Sequence, residues 1–362
     1  MNKTPFFDRN GTQLLKGIAL IMMFYHHFFT FPNWWPEGAE YPLLEQLAPY
    51  FCVPLKMCVP VFCFLTGYFY YFAKNKTLLY SVKKITDILI FYWGVFFVFA
   101  ISAVACGYHY DLIPFLLEIP ALFRPTMWFC WYVYFYYISM LALPFLTRLM
   151  SPKYWLDLII SVVIVPVVVF CGLRAADSAL AQEVLQNLLF WLPTLLSGYV
   201  VAQHDIFRKI ERFETDLIHS DRVRMIVYVF SVLFLPMCRH FSPNTFIHLF
   251  NAKVLNHSVI AYVNLDIILT PLFIYSVIQI HNRVNLPFVE KILSQIGKYS
   301  LLMWFASCIF YNNSKAVFNP ILYYPHNPVL VTVWGLLLCY VFSFVMDKVL
   351  SKVVNIKNSL MP

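Results

Sequence analysis

Gly11 to Pro32 reads GTQLLKGIALIMMFYHHFFTFP. It is apolar enough to enter a bilayer and reaches the ~20 residues that a membrane-crossing helix needs. Against that background it carries Lys16 near its start and His26 and His27 near its end. Ionisable groups inside such a helix are functional-site candidates by default. From Lys16 to His27 the eleven steps of about 100° each return to nearly the same face, some ~16 Å along the axis. His26 points about 100° away from His27, so the two imidazoles cannot face one cavity together. Taken alone, Lys16 also reads as a snorkelling residue at the membrane edge, and the histidines as interfacial residues among aromatics. A neutral imidazole in a membrane cavity is equally suited to act as a general base near neutral pH.

The rest of the chain has the same character. Of its 362 residues 61% are hydrophobic and only 12% charged, with a mean hydropathy of +0.69. Soluble domains carry about a quarter charged residues. The composition therefore predicts an all-α, polytopic membrane helix bundle and excludes an ordinary soluble enzyme. The net charge of +8 resides in short loops rather than in a basic, aromatic-interleaved stripe, so no nucleic-acid partner is expected. Nine cysteines occur without a CxxC pair or a zinc spacing, which reads as buried thiols and no metal site. No small-residue cleavage site follows the first segment, so it is expected to be retained rather than removed as a signal peptide.

Ten apolar segments are predicted, at 13–31, 47–73, 85–106, 127–147, 154–173, 184–203, 224–238, 258–280, 297–312 and 328–347. Twenty of the 26 Lys and Arg fall in the two tails and the even loops, against five in the odd loops (Arg124, Arg174, Arg239, Lys253 and Lys315), with Lys56 inside the second segment. By the positive-inside rule this bias puts both termini in the cytoplasm of a multi-pass cell-membrane protein. No internal repeat or long linker interrupts the chain, which reads as one membrane domain over 1–362. The longest polar stretch, His204 to Arg224, is helical in pattern and is expected to lie along the lipid surface.

Two more charges fall within apolar segments. Lys56 lies in LAPYFCVPLKMCVPVFCFLTGYFYYFA, where Pro49, Pro54 and Pro60 predict a kinked or opened helix. Too deep to snorkel easily, it needs an anionic partner or a polar cavity, and Asp266 enters from the same side to a similar depth. A structural Lys56–Asp266 ion pair and a catalytic role account for these residues equally well. The aromatic run MWFCWYVYFYYISM serves either as packing and an interfacial belt or as a stacking surface for sugars.

Several stretches together resemble the membrane-bound acyltransferase-3 family, whose members transfer acyl groups, commonly acetyl, onto glycans. KGIALIMMFYHH is similar to that family's first-helix signature, with Lys16 in the basic place and His27 in the catalytic one. VPVFCFLTGYFY resembles its second-helix motif, Lys83 and Lys84 fall where basic residues precede its third helix, and Trp128 resembles a Trp-Phe opening the fourth. IGKYSLLMWFASCIF is similar to its late helix but has Ser307 where many members have His. The resemblance implies acetyl-CoA approaching from the cytoplasm, with Lys16, Lys83 and Lys84 on its charged end. His27 would be the general base toward a sugar hydroxyl of a surface or lipid-linked polysaccharide, and Lys56 would steady the oxyanion. His26, Trp128 and Asp266 are the candidate acceptor contacts. The competing reading is a transporter or flippase of lipid-linked sugars without chemistry. Transporters tend to carry paired broken helices, and the proline-rich second segment has no counterpart in the other half.

Overall fold

The computed structural model describes residues 4–121, 127, 130–250, 257–311 and 315–360, with their side chains except at 49, 241–250, 257–264 and 360. Every regular element among the described residues is helical. The first eight helices are α1 (Arg9–Phe29), α2 (Pro42–Phe51), α3 (Cys58–Tyr71), α4 (Leu78–Ala105), α5 (Leu112–Glu118), α6 (Trp131–Leu149), α7 (Tyr154–Ile159) and α8 (Val165–Ala175). They are followed by α9 (Ala179–Gln203), α10 (Ile206–Leu217), α11 (Asp221–Phe250), α12 (His257–Arg283), α13 (Pro287–Lys298), α14 (Ser300–Ser307), α15 (Lys315–Tyr323) and α16 (Pro328–Leu360).

Six stretches among the described residues are long and apolar enough to cross a membrane: Leu78–Ala105, Tyr154–Ala175, Ala179–Gln203, Asp221–His240, Leu265–Arg283 and Pro328–Ser359. Each corresponds to a predicted segment. The other four predicted segments fall short for separate reasons. α1 has 21 residues but dilutes its hydropathy with Gln13, Lys16, His26 and His27. α6 has 19 and is diluted by four tyrosines. The apolar stretch Ser300–Phe310 is short. The proline-rich second segment is broken in two: α2 ends at Phe51, a 3-10 turn runs over Pro54–Met57, and α3 begins at Cys58. Pro54 has no N–H for a continuous helix, whereas Pro60 falls in the first turn of α3, where no N–H is needed. Between α7 and α8 a π turn over Ile160–Ile164 precedes Pro166, and shifts the hydrogen-bond register just ahead of the missing donor.

Packing divides the chain into two compact units. The first comprises Met1–Met22, Val53–Lys76 and Leu143–Gly297. Its centre is the crossing of α3 on α9, with α12 beside α9 and α11 on α12. At the crossing both helices present glycine, so backbone meets backbone: a Cβ on Gly67 would stand 1.8 Å from the Leu195 carbonyl oxygen, and one on Gly198 2.1 Å from that of Phe64. Below it Phe6, Phe7, Phe64, Tyr68, Phe207 and Tyr275 form one aromatic cluster. The predicted surface helix proves to be α10, and it is pinned to this cluster. Phe207 is buried, and Arg208 donates to the Thr4 and Pro5 carbonyls. Only its other stripe, with Phe213 and Leu217 exposed, remains for a lipid surface.

The second unit comprises Met23–Cys52, Thr77–Ala142 and Lys298–Pro362. Here α16 packs on α4 and α14, and Gly94 leaves the space that the Leu350 methyls enter. Along α16, Val329, Val333, Leu337, Val341, Val345 and Val349 are exposed at every fourth position. A continuous apolar stripe of that length has no place in water and marks a lipid-facing side.

Candidate functional site

The end of α1 that carries the histidines belongs to the second unit and is braced from several sides. The Phe28 carbonyl, one of the orphan acceptors of a helix C-terminus, receives Trp35 Nε1–H at 2.8 Å and the Tyr323 hydroxyl at 2.7 Å. Asn319 Nδ2 donates to the Trp34 and Phe310 carbonyls, each at 3.0 Å. Gly335 on α16 makes room for the Phe28 ring.

Within this frame the adjacent histidines differ. His26 is buried, its Nδ1 lying 2.9 Å from the Cys52 carbonyl oxygen and 3.0 Å from the Thr30 hydroxyl. A carbonyl only accepts, so Nδ1 carries a proton. One nitrogen of His26 is thereby committed to fixing the break that opens the second predicted segment. His27 is the more accessible, half-buried imidazole, its ring centroid 5.5 Å from that of His26.

Lys16 lies in the part of α1 that belongs to the first unit. There α1 and α13 meet as closely as α3 and α9 do. A Cβ on Gly17 would stand 2.1 Å from the Leu293 carbonyl oxygen, and one on Gly297 1.8 Å from that of Gln13. The Lys-Gly and Gly-Lys pairs of the two motifs are thus architectural at their glycines. Lys16 is half-buried and makes no hydrogen bond or ion pair among the described residues. The Thr-Gly-Tyr motif of α3 is architectural throughout. The Thr66 hydroxyl donates to the Phe62 carbonyl at 2.9 Å, Gly67 meets α9, and the Tyr68 hydroxyl accepts from Phe6 N–H at 2.8 Å.

Lys83 and Lys84 stand near the start of α4, in the second unit. Lys84 lies 3.6 Å from the Asp87 carboxylate. Lys357, from the end of α16, donates to the same carboxylate and reaches the Lys83 carbonyl at 3.3 Å. Two ammonium groups, those of Lys84 and Lys357, therefore share one carboxylate and leave an excess of positive charge, with Lys83 joined to them through its backbone carbonyl. Lys357 is a member that sequence reasoning missed, since nothing in a carboxyl-terminal tail announces a partner 270 positions earlier.

Asp266 corrects one expectation. Its carboxylate is fully buried and is held not by Lys56 but by Arg239, whose Nε donates to one oxygen at 2.6 Å and Nη2 to the other at 3.0 Å. Arg239, assigned from sequence to a loop, is instead 2% exposed inside α11, with its guanidinium 5.9 Å from the Trp191 ring. Lys56 sits on the 3-10 turn, whose Pro54 and Met57 are buried, within electrostatic reach of both charges. Trp128 lies outside the described residues. Ser307 is buried, and its hydroxyl donates to the Trp304 carbonyl at 2.7 Å, a bond internal to its own helix.

Residues 9–348 match the model of a family described as an acyltransferase domain. No curated protein and no solved structure matches the chain.

Proposed function

Since this chain belongs to that acyltransferase family, we propose that it moves an acetyl group from cytoplasmic acetyl-CoA to a sugar hydroxyl of a cell-surface or lipid-linked polysaccharide. The observation that carries the reading is the asymmetry at the end of α1, where His26 is buried on the Cys52 carbonyl and His27 is the more exposed imidazole. His27 then serves as the base. A neutral imidazole nitrogen takes the proton of the acceptor hydroxyl as its oxygen attacks the thioester carbonyl. The tetrahedral intermediate collapses with breakage of the C–S bond, and the imidazolium returns the proton to the departing thiolate. The products are an O-acetyl sugar and free CoA.

The phosphates of CoA call for clustered cations, and Lys84 and Lys357 around Asp87, with Lys83 adjacent on the same helix, provide a net positive site for them. Lys16, on the same helix as the base, supplies further positive charge for the donor.

The test follows CoA release from acetyl-CoA by purified protein in nanodiscs supplied with cell-envelope glycan. Turnover by wild type, lost in His27→Ala by at least ~100-fold and largely kept in His26→Ala, is the expected outcome. Protein that neither binds nor turns over acetyl-CoA in the presence of glycan would sink the enzymatic reading and favour a transporter.

A further inference from the structure

Resting on acyl transfer to a glycan, we propose that Lys56, on the turn that packs against the helix carrying Arg239, is a binding subsite for an anionic group of the acceptor. The group is a carboxylate or a phosphate, so acidic or diphosphate-linked glycans are preferred over neutral ones. The argument starts from the pair itself. Arg239 and Asp266 are 2% and 0% exposed, and both carboxylate oxygens are engaged. Buried ion pairs are seldom retained for stability, because well-packed apolar residues serve as well or better. In a chain that faces lipid the cost of keeping them is higher still, and such residues mark ligand paths.

The surroundings specify the sign of the ligand. Arg239 and Asp266 cancel, and the guanidinium is further held against the Trp191 face. Lys56 is left as the excess charge. It makes no hydrogen bond or ion pair among the described residues, although a carboxylate is close enough to act on it. That carboxylate is already spent on Arg239. A cation beside a neutral pair attracts an anion that the described residues do not provide.

The backbone places Lys56 suitably for this task. It stands on the Pro54–Met57 turn between α2 and α3, and the turn packs against α11, which carries Arg239. Unwound backbone between two helix pieces is tolerated in membrane proteins where it lines a cavity or binding site. An accessible ammonium with three rotatable donors suits a carboxylate or phosphate that arrives with its own hydration.

The experiment uses the full chain in nanodiscs with acetyl-CoA and three acceptors of equal length: a uronic-acid oligosaccharide, a neutral oligosaccharide, and the neutral oligosaccharide on a polyprenyl diphosphate. For Lys56→Gln the KM of an anionic acceptor is expected to rise about tenfold, with the neutral acceptor moved less than about twofold. Lys56→Arg should restore most of the loss, and added salt should weaken the anionic acceptor alone. The arm that responds identifies the anion as sugar carboxylate or lipid diphosphate. Equal KM values for all acceptors in Lys56→Gln would overturn the proposal, as would a kcat loss shared by all three, which is the signature of oxyanion stabilisation. Absence of turnover by wild type in every arm would defeat acyl transfer instead. Equilibrium binding of labelled uronic-acid and diphosphate-linked oligosaccharides then decides the subsite alone, its loss in Lys56→Gln supporting it and its persistence overturning it.

Discussion

Replacing Gly67 by alanine adds a single methyl group at the one place where α3 and α9 touch through their backbones. That methyl would stand 1.8 Å from the Leu195 carbonyl oxygen, whereas ordinary contact begins at 3.4 Å. The obstacle is main chain inside a helix and cannot rotate away, so α3 and α9 must part by about 1.5 Å. A gap of even ~0.5–1 Å forfeits a quarter to a half of each dispersion contact across it. The contacts at stake include Phe64, Leu65 and Tyr68 on one side and Leu192, Leu195 and Leu196 on the other, all buried. Overpacking of this kind costs about 1–3 kcal/mol and more where relaxation is blocked. Alanine returns about 1 kcal/mol through its better helix propensity. The net expectation is a loss of ~1–2 kcal/mol, a fall in apparent melting temperature of about 1–3 °C for a chain of this length. Gly172→Ala is the matched control, because its new methyl would meet only the Leu185 methyls at 3.7 Å. It should leave the melting point unchanged or raise it slightly. Intrinsic tryptophan fluorescence during a thermal ramp in detergent reports both. If Gly67→Ala melts with wild type, or Gly172→Ala melts lower than Gly67→Ala, the close-approach argument is wrong.

Breaking the buried pair with Asp266→Asn should lower stability by about 3–5 kcal/mol, while the double variant Arg239→Met/Asp266→Leu should recover most of it; the same thermal ramp measures both. Lys83→Ala, Lys84→Ala and Lys357→Ala are each expected to raise the KM for acetyl-CoA with little change in kcat and to flatten its salt dependence; a kcat effect without a KM effect would place the cluster elsewhere in the reaction. His26→Ala leaves the Cys52 carbonyl without its buried donor and should cost ~1–3 kcal/mol of stability while retaining CoA release.

What could be read from the chain depended on whether the signal was local. Proline carries its consequence within a turn of itself, so the opening at Pro54 was legible from three prolines in one apolar run. The helical nature of α10 was legible too, because an amphipathic period needs no partner, but the burial of Phe207 beneath Phe6 and Tyr68 was not. Arg239 misled for the same reason. A basic residue at the end of an apolar stretch looks like a loop boundary until the aspartate 27 positions later is seen to hold it. Lys56 was singled out as the charge needing a partner, with Asp266 as the candidate, whereas the carboxylate of Asp266 is held by Arg239. The motifs singled out His27, Lys16 and the α4 lysines as candidates. They did not reveal that Gly17, Gly67 and Gly297 are there for helix contact, since close approach is a property of two segments and not of one.

The glycine contacts of α1 also settle how Lys16 is aimed. A helix touching its neighbour by main chain at two levels, Gln13 against Gly297 and Gly17 against Leu293, has lost its freedom to turn about its own axis. The bearing of Lys16 is therefore set by residues on either side of it rather than by any contact of its own, for among the described residues it forms no hydrogen bond or ion pair. Such a position asks its occupant for a charge and a length, not for a shape. Arginine should substitute there without disturbing the bundle, while a neutral residue of the same size would leave the helix in place with nothing for it to point.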